Sequence, residues 1–320
     1  GSPVSDLIWN DLADPTGDQL QSVLPGDLHP IADNRLRLIR GFSDEVFPRL
    51  ESHDSYLFGE LAYPMYDAVV DEVGTVGIRV IIDFDRFISV TQTPTDWPSG
   101  IPMPDLSTVA GQANSRQLLS GDCIWLLLEF IAAQIDRLVD DAHERTNELE
   151  YLLNHDHEPP SDCRQQIARL RNIYLQLETI ITPTLSVAEK IIDDRLDLKK
   201  TVDGGKVEIF PRSTEIYLID VAERLRHARS RTQYGRDMMK VLTDNLSSFL
   251  ERKQAQAGNR LGAIASIMLL PTFVVGLYGM NIDPEYFPEF GWLNGYLVAW
   301  LMIMAITVVQ ITFFRRKGWL

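Results

Sequence analysis

Apolar residues crowd two stretches near the C-terminus, at about 261–278 and 292–314. A helix rises about 1.5 Å per residue, so roughly 20 residues cross the hydrocarbon of a bilayer. Both stretches are near or above that length, and both lie at the wrong end of the chain for a signal peptide. No Lys, Arg or His occurs between Leu261 and Phe314. Arg252, Lys253 and Arg260 come just before that stretch, and Arg315, Arg316 and Lys317 just after. Positive flanks stay in the cytoplasm. The pattern predicts a two-helix membrane hairpin with spans at about 260–279 and 292–314, an outer loop at 280–291, cytoplasmic termini and a basic tail. A plain membrane anchor is the simpler reading of two such spans.

Ahead of the hairpin the periodicity changes. Segments 6–9, 46–52, 56–63, 76–84 and 87–91 are rich in β-branched and aromatic residues and bounded by Gly, Pro and Asp, which predicts strands. Pro15-Thr16-Gly17-Asp18 opens a helix running to Leu24, with Asp14 as its expected cap. Segment 93–105 carries four prolines and reads as a loop. From Leu106 the pattern turns helical. A long amphipathic stretch at 123–151 and a second at 162–200, with Leu170, Ile173, Leu177 and Ile181 at helical spacing, predict an antiparallel hairpin. No proline falls between Pro211 and Pro271, so a third helix runs straight into the first membrane span. If continuous, it covers about 65 residues, or about 100 Å. The expected architecture is an α+β cytoplasmic domain (4–120, with an antiparallel or mixed sheet), a long-helix hairpin and stalk (121–258) and a membrane hairpin with its tail (259–320).

Composition narrows the classes. The chain has 320 residues, with Gly1-Ser2-Pro3 reading as a cloning remnant. Net charge is −15, and the bases cluster at the membrane, so the rest is more acidic still. That argues against nucleic-acid binding, which wants a basic footprint. It suits a protein that gathers cations, although solubility alone explains many acidic surfaces. Cys123 and Cys163 have no partners at metal-ligand spacing and read as free thiols. His155-Asp156-His157-Glu158 offers transition-metal ligands, but at a helix-hairpin tip, where polar turns are ordinary. No nucleophile elbow, phosphate loop, zinc-protease motif or dinucleotide fingerprint occurs, so no enzyme activity is expected.

At the outer end of the first span stand Tyr278-Gly279-Met280-Asn281, preceded by Leu270-Pro271-Thr272-Phe273. Taken alone, Asn281 suits a helix C-cap. The combination resembles the CorA family of divalent-cation channels, within a superfamily that includes the ZntB zinc transporters. The loop Pro284-Glu285 and Pro288-Glu289-Phe290 is similar to the family's Met-Pro-Glu loop but longer, and Arg315-Arg316-Lys317-Gly318-Trp319-Leu320 is similar to its basic, Trp-Leu-ending tail. Trp9-Asn10-Asp11-Leu12, Pro15-Thr16 and Leu28-His29-Pro30 fit its cytoplasmic domain.

The resemblance implies a funnel-shaped homopentamer in the inner membrane, with the first span lining the pore and Mg²⁺ as cargo, Co²⁺ and Ni²⁺ being further candidates. No organic cofactor is implied. Gly279, Met280 and Asn281 form the selectivity filter. Mg²⁺ holds its water tightly, so a ring of neutral oxygens, the Asn281 amide and the Gly279 carbonyl, takes the ion still hydrated. Met280 packs behind. Gly276, Thr272, Leu269, Leu261 and Gly258 line the pore, with the two leucines as a constriction that gates by dewetting. The family's bulky Met and polar Asn at the inner end are replaced here by Gly258 and Ala255. The outer-loop acids Asp283, Glu285 and Glu289 either concentrate cations or keep the loop soluble. Arg315, Arg316 and Lys317 ring the cytoplasmic exit. Asp220 matches a regulatory carboxylate at which Mg²⁺ bridges subunits, with Asp67, Asp71 and Glu72 as candidate partners. Alternatives are a zinc transporter, which Met280 disfavours, and a non-conducting membrane-anchored sensor or scaffold.

Overall fold

The computed structural model describes residues 8–26, 28–116, 118–155, 159–196, 198–202, 205–280 and 295–319. The chain divides into two compact units at Thr243/Asp244.

The first unit is built on a mixed five-stranded sheet in the order β1-β5-β4-β3-β2. The strands are β1 (Trp9–Ala13), β2 (Arg49–Ser52), β3 (Leu57–Asp67), β4 (Glu72–Ile82) and β5 (Phe87–Thr91). β1 runs parallel to β5 and the remaining pairs are antiparallel. The tight turn between β3 and β4 places Glu60 opposite Arg79 and Asp67 opposite Glu72. Both faces of the sheet are covered. On one, Leu20 of α1 (Gly17–Val23) and Ala32 and Leu36 of α2 (Pro30–Arg37) pack with Tyr56, Phe58, Ile81, Ile88 and Val90. After α3 (Leu106–Ser115) come two long helices, α4 (Ser120–His155) and α5 (Cys163–Ile192). These reach the sheet through Phe130 stacked on Tyr63, with ring centroids 4.8 Å apart, and through Gln176, which accepts a hydrogen bond from the Val73 N–H. A short hairpin, β6 (Lys199–Val202) and β7 (Gly205–Glu208), precedes α6 (Arg212–Tyr278). Leu170, Ile173, Leu177 and Ile181 are all buried, as their spacing requires.

Several boundaries differ from expectation, each for a local reason. Thr16, not Asp14, caps α1: its hydroxyl accepts from the Gln19 N–H while the Gln19 side chain accepts from the Thr16 N–H, a reciprocal capping box. Asp14 instead takes a left-handed φ of 46° and its carboxylate binds Thr93. The predicted strand at 46–52 begins only at Arg49, and those at 56–63 and 76–84 become a longer hairpin turning at 68–71. α2 was not anticipated. Its signals are His29, whose ring accepts from the Ile31 N–H, and Pro30 at the first helical position. α5 stops at Ile192 rather than near Lys200, because Asp194 turns left-handed at φ 56° and the chain enters β6.

The second unit holds the C-terminal part of α6 and α7 (Gly295–Arg316). Both helices are long and apolar enough to cross a membrane. α6 is one helix of 67 residues despite Pro271.

Candidate functional site: the two apolar helices and the end of α6

At 100° per residue, Gly258, Leu261, Leu269, Thr272 and Gly276 fall within an arc of about 80° on α6. The structure leaves all five exposed, Leu261 at 68% and Leu269 at 70%. Ala263 and Val274, roughly opposite on the helix, are buried. The Thr272 hydroxyl donates to the Met268 carbonyl at 2.7 Å, which satisfies its proton and leaves its lone pairs on the open face. Pro271 has no N–H, so the Ile267 carbonyl lacks its usual helical donor.

The helix closes in a short turn. The Gly279 N–H reaches the Val275 carbonyl at 2.9 Å and the Met280 N–H reaches that of Leu277 at 3.3 Å. A Cβ on Gly279 would stand 3.2 Å from the Val275 oxygen, so glycine lets the chain turn without crowding it. Met280 is 57% exposed, not packed away within this chain. Asn281, Asp283, Glu285 and Glu289 lie outside the described residues.

On α7, the Thr307 and Thr312 hydroxyls bond back to the carbonyls of Ile303 and Val308. Gln310 reaches across to Ser266 of α6. At the basic end Phe314 is buried beneath Trp319, ring centroids 5.7 Å apart, and the Lys317 ammonium sits 6.0 Å over Phe313. Arg315, Arg316 and Lys317 are exposed.

In the first unit the regulatory candidates separate by environment. Asp220 is exposed on α6. Asp67 is buried and accepts from the Val69 N–H in the β3–β4 turn. Asp71 has the left-handed φ of 60° and is already engaged: Arg145 approaches to 2.8 Å, Arg169 to 3.6 Å, and the Tyr66 hydroxyl donates at 2.5 Å. Burial pushes the Asp71 carboxyl up, but the Tyr66 hydrogen bond and the two guanidiniums outweigh it and hold the group below the usual carboxylate range. Glu72 is exposed. Among the described residues no three His, Cys, Asp or Glu gather as a metal-binding group, so these candidates do not form one within this chain. His155 ends α4, and Asp156, His157 and Glu158 lie outside the described residues. Cys123 and Cys163 are free and buried, and burial pushes the Cys123 thiol up to about 12.

Two arrangements were missed from the sequence. Charged Glu60 and Arg79 interrupt the apolar run of the central strands, and they pair across the sheet at 3.3 Å while almost wholly buried. Gln310 interrupts an apolar helix in the same way. A charge or amide inside an apolar run is the signal in both cases, because burying one unpaired is costly.

The family model for the CorA-like Mg²⁺ transporter protein matches residues 5–317. The chain belongs to the CorA family. Among CorA relatives, the cobalt/magnesium transport protein of Thermotoga maritima is 27% identical over 199 residues, 62% of this chain and 49% of that protein. The chain thus spans about half the length of that relative. The magnesium transport protein CorA of Sodalis glossinidius is 22% identical over 326 residues, 98% of this chain and 92% of that protein. The complete structure of the CorA magnesium transporter from Methanocaldococcus jannaschii superimposes with a TM-score of 0.73 at 15% identity, over 98% of this chain and 91% of that one. At that identity the likeness shows the fold: an α+β part, a long helix and a C-terminal apolar helix.

Proposed function

We propose that this CorA chain is one subunit of a homopentameric channel that admits hydrated divalent cations, Mg²⁺ foremost, to the cytoplasm. The observation that carries the reading is the exposed α6 arc of Gly258, Leu261, Leu269, Thr272 and Gly276, which leads to Gly279-Met280-Asn281. One chain with two spans cannot enclose a pore, so conduction needs several copies, each turning this arc toward a shared axis. Asn281 and the Gly279 carbonyl meet the ion through its water, since stripping Mg²⁺ is slow. Leu261 and Leu269 give the pore a narrow apolar stretch between a hydroxyl-bearing upper part and the cytoplasmic exit ringed by Arg315, Arg316 and Lys317. Both termini face the cytoplasm, as the flanking bases direct. The membrane potential drives uptake, worth about 4.6 kcal/mol per 100 mV for a charge of +2.

Cytoplasmic Mg²⁺ held between subunits at Asp220 closes the channel by favouring one conformer. Asp71 is the least suited of its candidate partners, because its charge is already answered by two arginines.

The test is uptake into liposomes under an inside-negative potential, across Mg²⁺, Co²⁺, Ni²⁺ and Zn²⁺ at matched free ion. Mg²⁺ entry at least equal to that of Zn²⁺ is expected. Zn²⁺ entry far above Mg²⁺ would assign zinc transport, and no entry of any ion would leave a membrane-anchored scaffold.

A further inference from the structure

α7 carries three polar side chains between Thr307 and Thr312, and only one looks outward from its own helix. Thr307 and Thr312 return their hydroxyl protons to carbonyls one turn back. Gln310 does not. Its Nε2 lies 3.0 Å from the Ser266 carbonyl and 3.2 Å from the Ser266 Oγ, so one amide group grips two oxygens of α6. The Gln310 Oε1 is enclosed and has no hydrogen-bond partner among the described residues. In an apolar span such an amide is costly unless it is used.

The grip falls at a weak point of α6. Pro271 cannot donate to the Ile267 carbonyl, so the helical ladder is thinned one residue past Ser266. Proline is tolerated in membrane helices where neighbouring helices and hydroxyls supply the missing polar contacts, and kinks concentrate at such residues. Leu269 and Thr272 flank Pro271 on the exposed face. A rotation of α6 at this level therefore moves the proposed constriction directly, and the Gln310 amide on Ser266 ties the two helices together at this level.

We infer that Gln310 is a positioning residue for transport: its amide, donating to Ser266, sets the rotation of the α6 segment around Pro271 and so aims Leu269 and Thr272. It touches no ion. The inference rests on the transport reading above.

The orphan Oε1 separates this role from a merely structural one. Gln310→Leu removes the contact and the buried unsatisfied acceptor together, and the two changes offset one another in stability. The experiment measures Mg²⁺ entry into liposomes for the wild type, Gln310→Leu and Gln310→Glu from pH 5.5 to 7.5, with the melting temperature in detergent alongside. Gln310→Leu is expected to lose about tenfold or more of the flux at every pH with little change in melting. Gln310→Glu can donate to Ser266 only as the protonated acid, so its flux is expected to be near wild type at the acidic end and to fall as pH rises, relative to the wild type measured in parallel. Wild-type flux in Gln310→Leu, or an equal and pH-independent loss in both variants, would overturn the assignment. Hydrogen exchange of peptides covering 261–278 reads the brace without transport: faster exchange in Gln310→Leu supports it and unchanged exchange overturns it. A wild type that exchanges as described but passes no ion would sink the transport reading instead.

Discussion

Asp71 shows how one residue's surroundings decide what it can do. Its left-handed φ of 60° is a conformation that Asp tolerates better than most side chains. Its carboxylate ties the β3–β4 turn to α4 through Arg145 and to α5 through Arg169. Because the folded state holds this carboxyl below its ordinary value, the charged form stabilises the fold. The contribution is complete above the unfolded value, about 4, and is lost as pH falls through the lower folded value. Asp71→Asn keeps the shape and the turn preference but loses the charge. We expect it to lower stability by roughly 1–2 kcal/mol at pH 7, less than a fully buried pair would lose because both arginines are partly exposed. The gap to the wild type should close below about pH 4. Thermal unfolding across that range is the check, and a gap that persists undiminished at pH 3 would contradict the pairing.

At the scale of elements, α6 meets the helical hairpin closely. Gly235 lies against the ring of buried Tyr174 on α5, where an added Cβ would stand 2.2 Å from the ring. The Tyr174 hydroxyl is held 2.9 Å from that of Thr146 on α4, so the ring is not free to yield. Gly235→Ala is expected to cost about 1–3 kcal/mol by overpacking, read as a lowered melting temperature; an unchanged one would mean that α5 and α6 are not this close. The long elements were legible because periodicity accumulates over many turns: the single helix into the membrane followed from the absence of proline between Pro211 and Pro271. Short elements were not. α2 rests on one aromatic cap and one proline, and β6–β7 surrounds Asp203-Gly204, where a turn signal alone reads as a break. The Asp71 pairings were invisible for a different reason. Sequence separations such as that of Asp71 from Arg145, 74 residues, leave no local trace.

At the scale of the whole molecule, the family and the two spans were readable from a tetrapeptide, two apolar runs and a basic tail, and the fold agrees with them. The face of α6 proposed to line a pore was readable only as a helical register. Helical register puts Leu261, Leu269 and Thr272 on one arc, and they are exposed there, but register says nothing of Gln310, because a tie between helices depends on their pairing. In the proposed assembly further copies of the chain face this arc. The native mass in detergent should correspond to five copies of the 36.3 kDa chain, about 180 kDa without bound detergent. A monomer would remove the enclosed pathway.

Uncharged oxygens at the outer end of α6 are proposed to select the ion. Mg²⁺ entry into liposomes, compared between the wild type and Asn281→Ala at equal protein and equal potential, tests this most directly. Asn281→Ala is expected to lose about tenfold or more, on the order of 1.4 kcal/mol per decade, with the oligomer intact. Equal entry in the two proteins would contradict it.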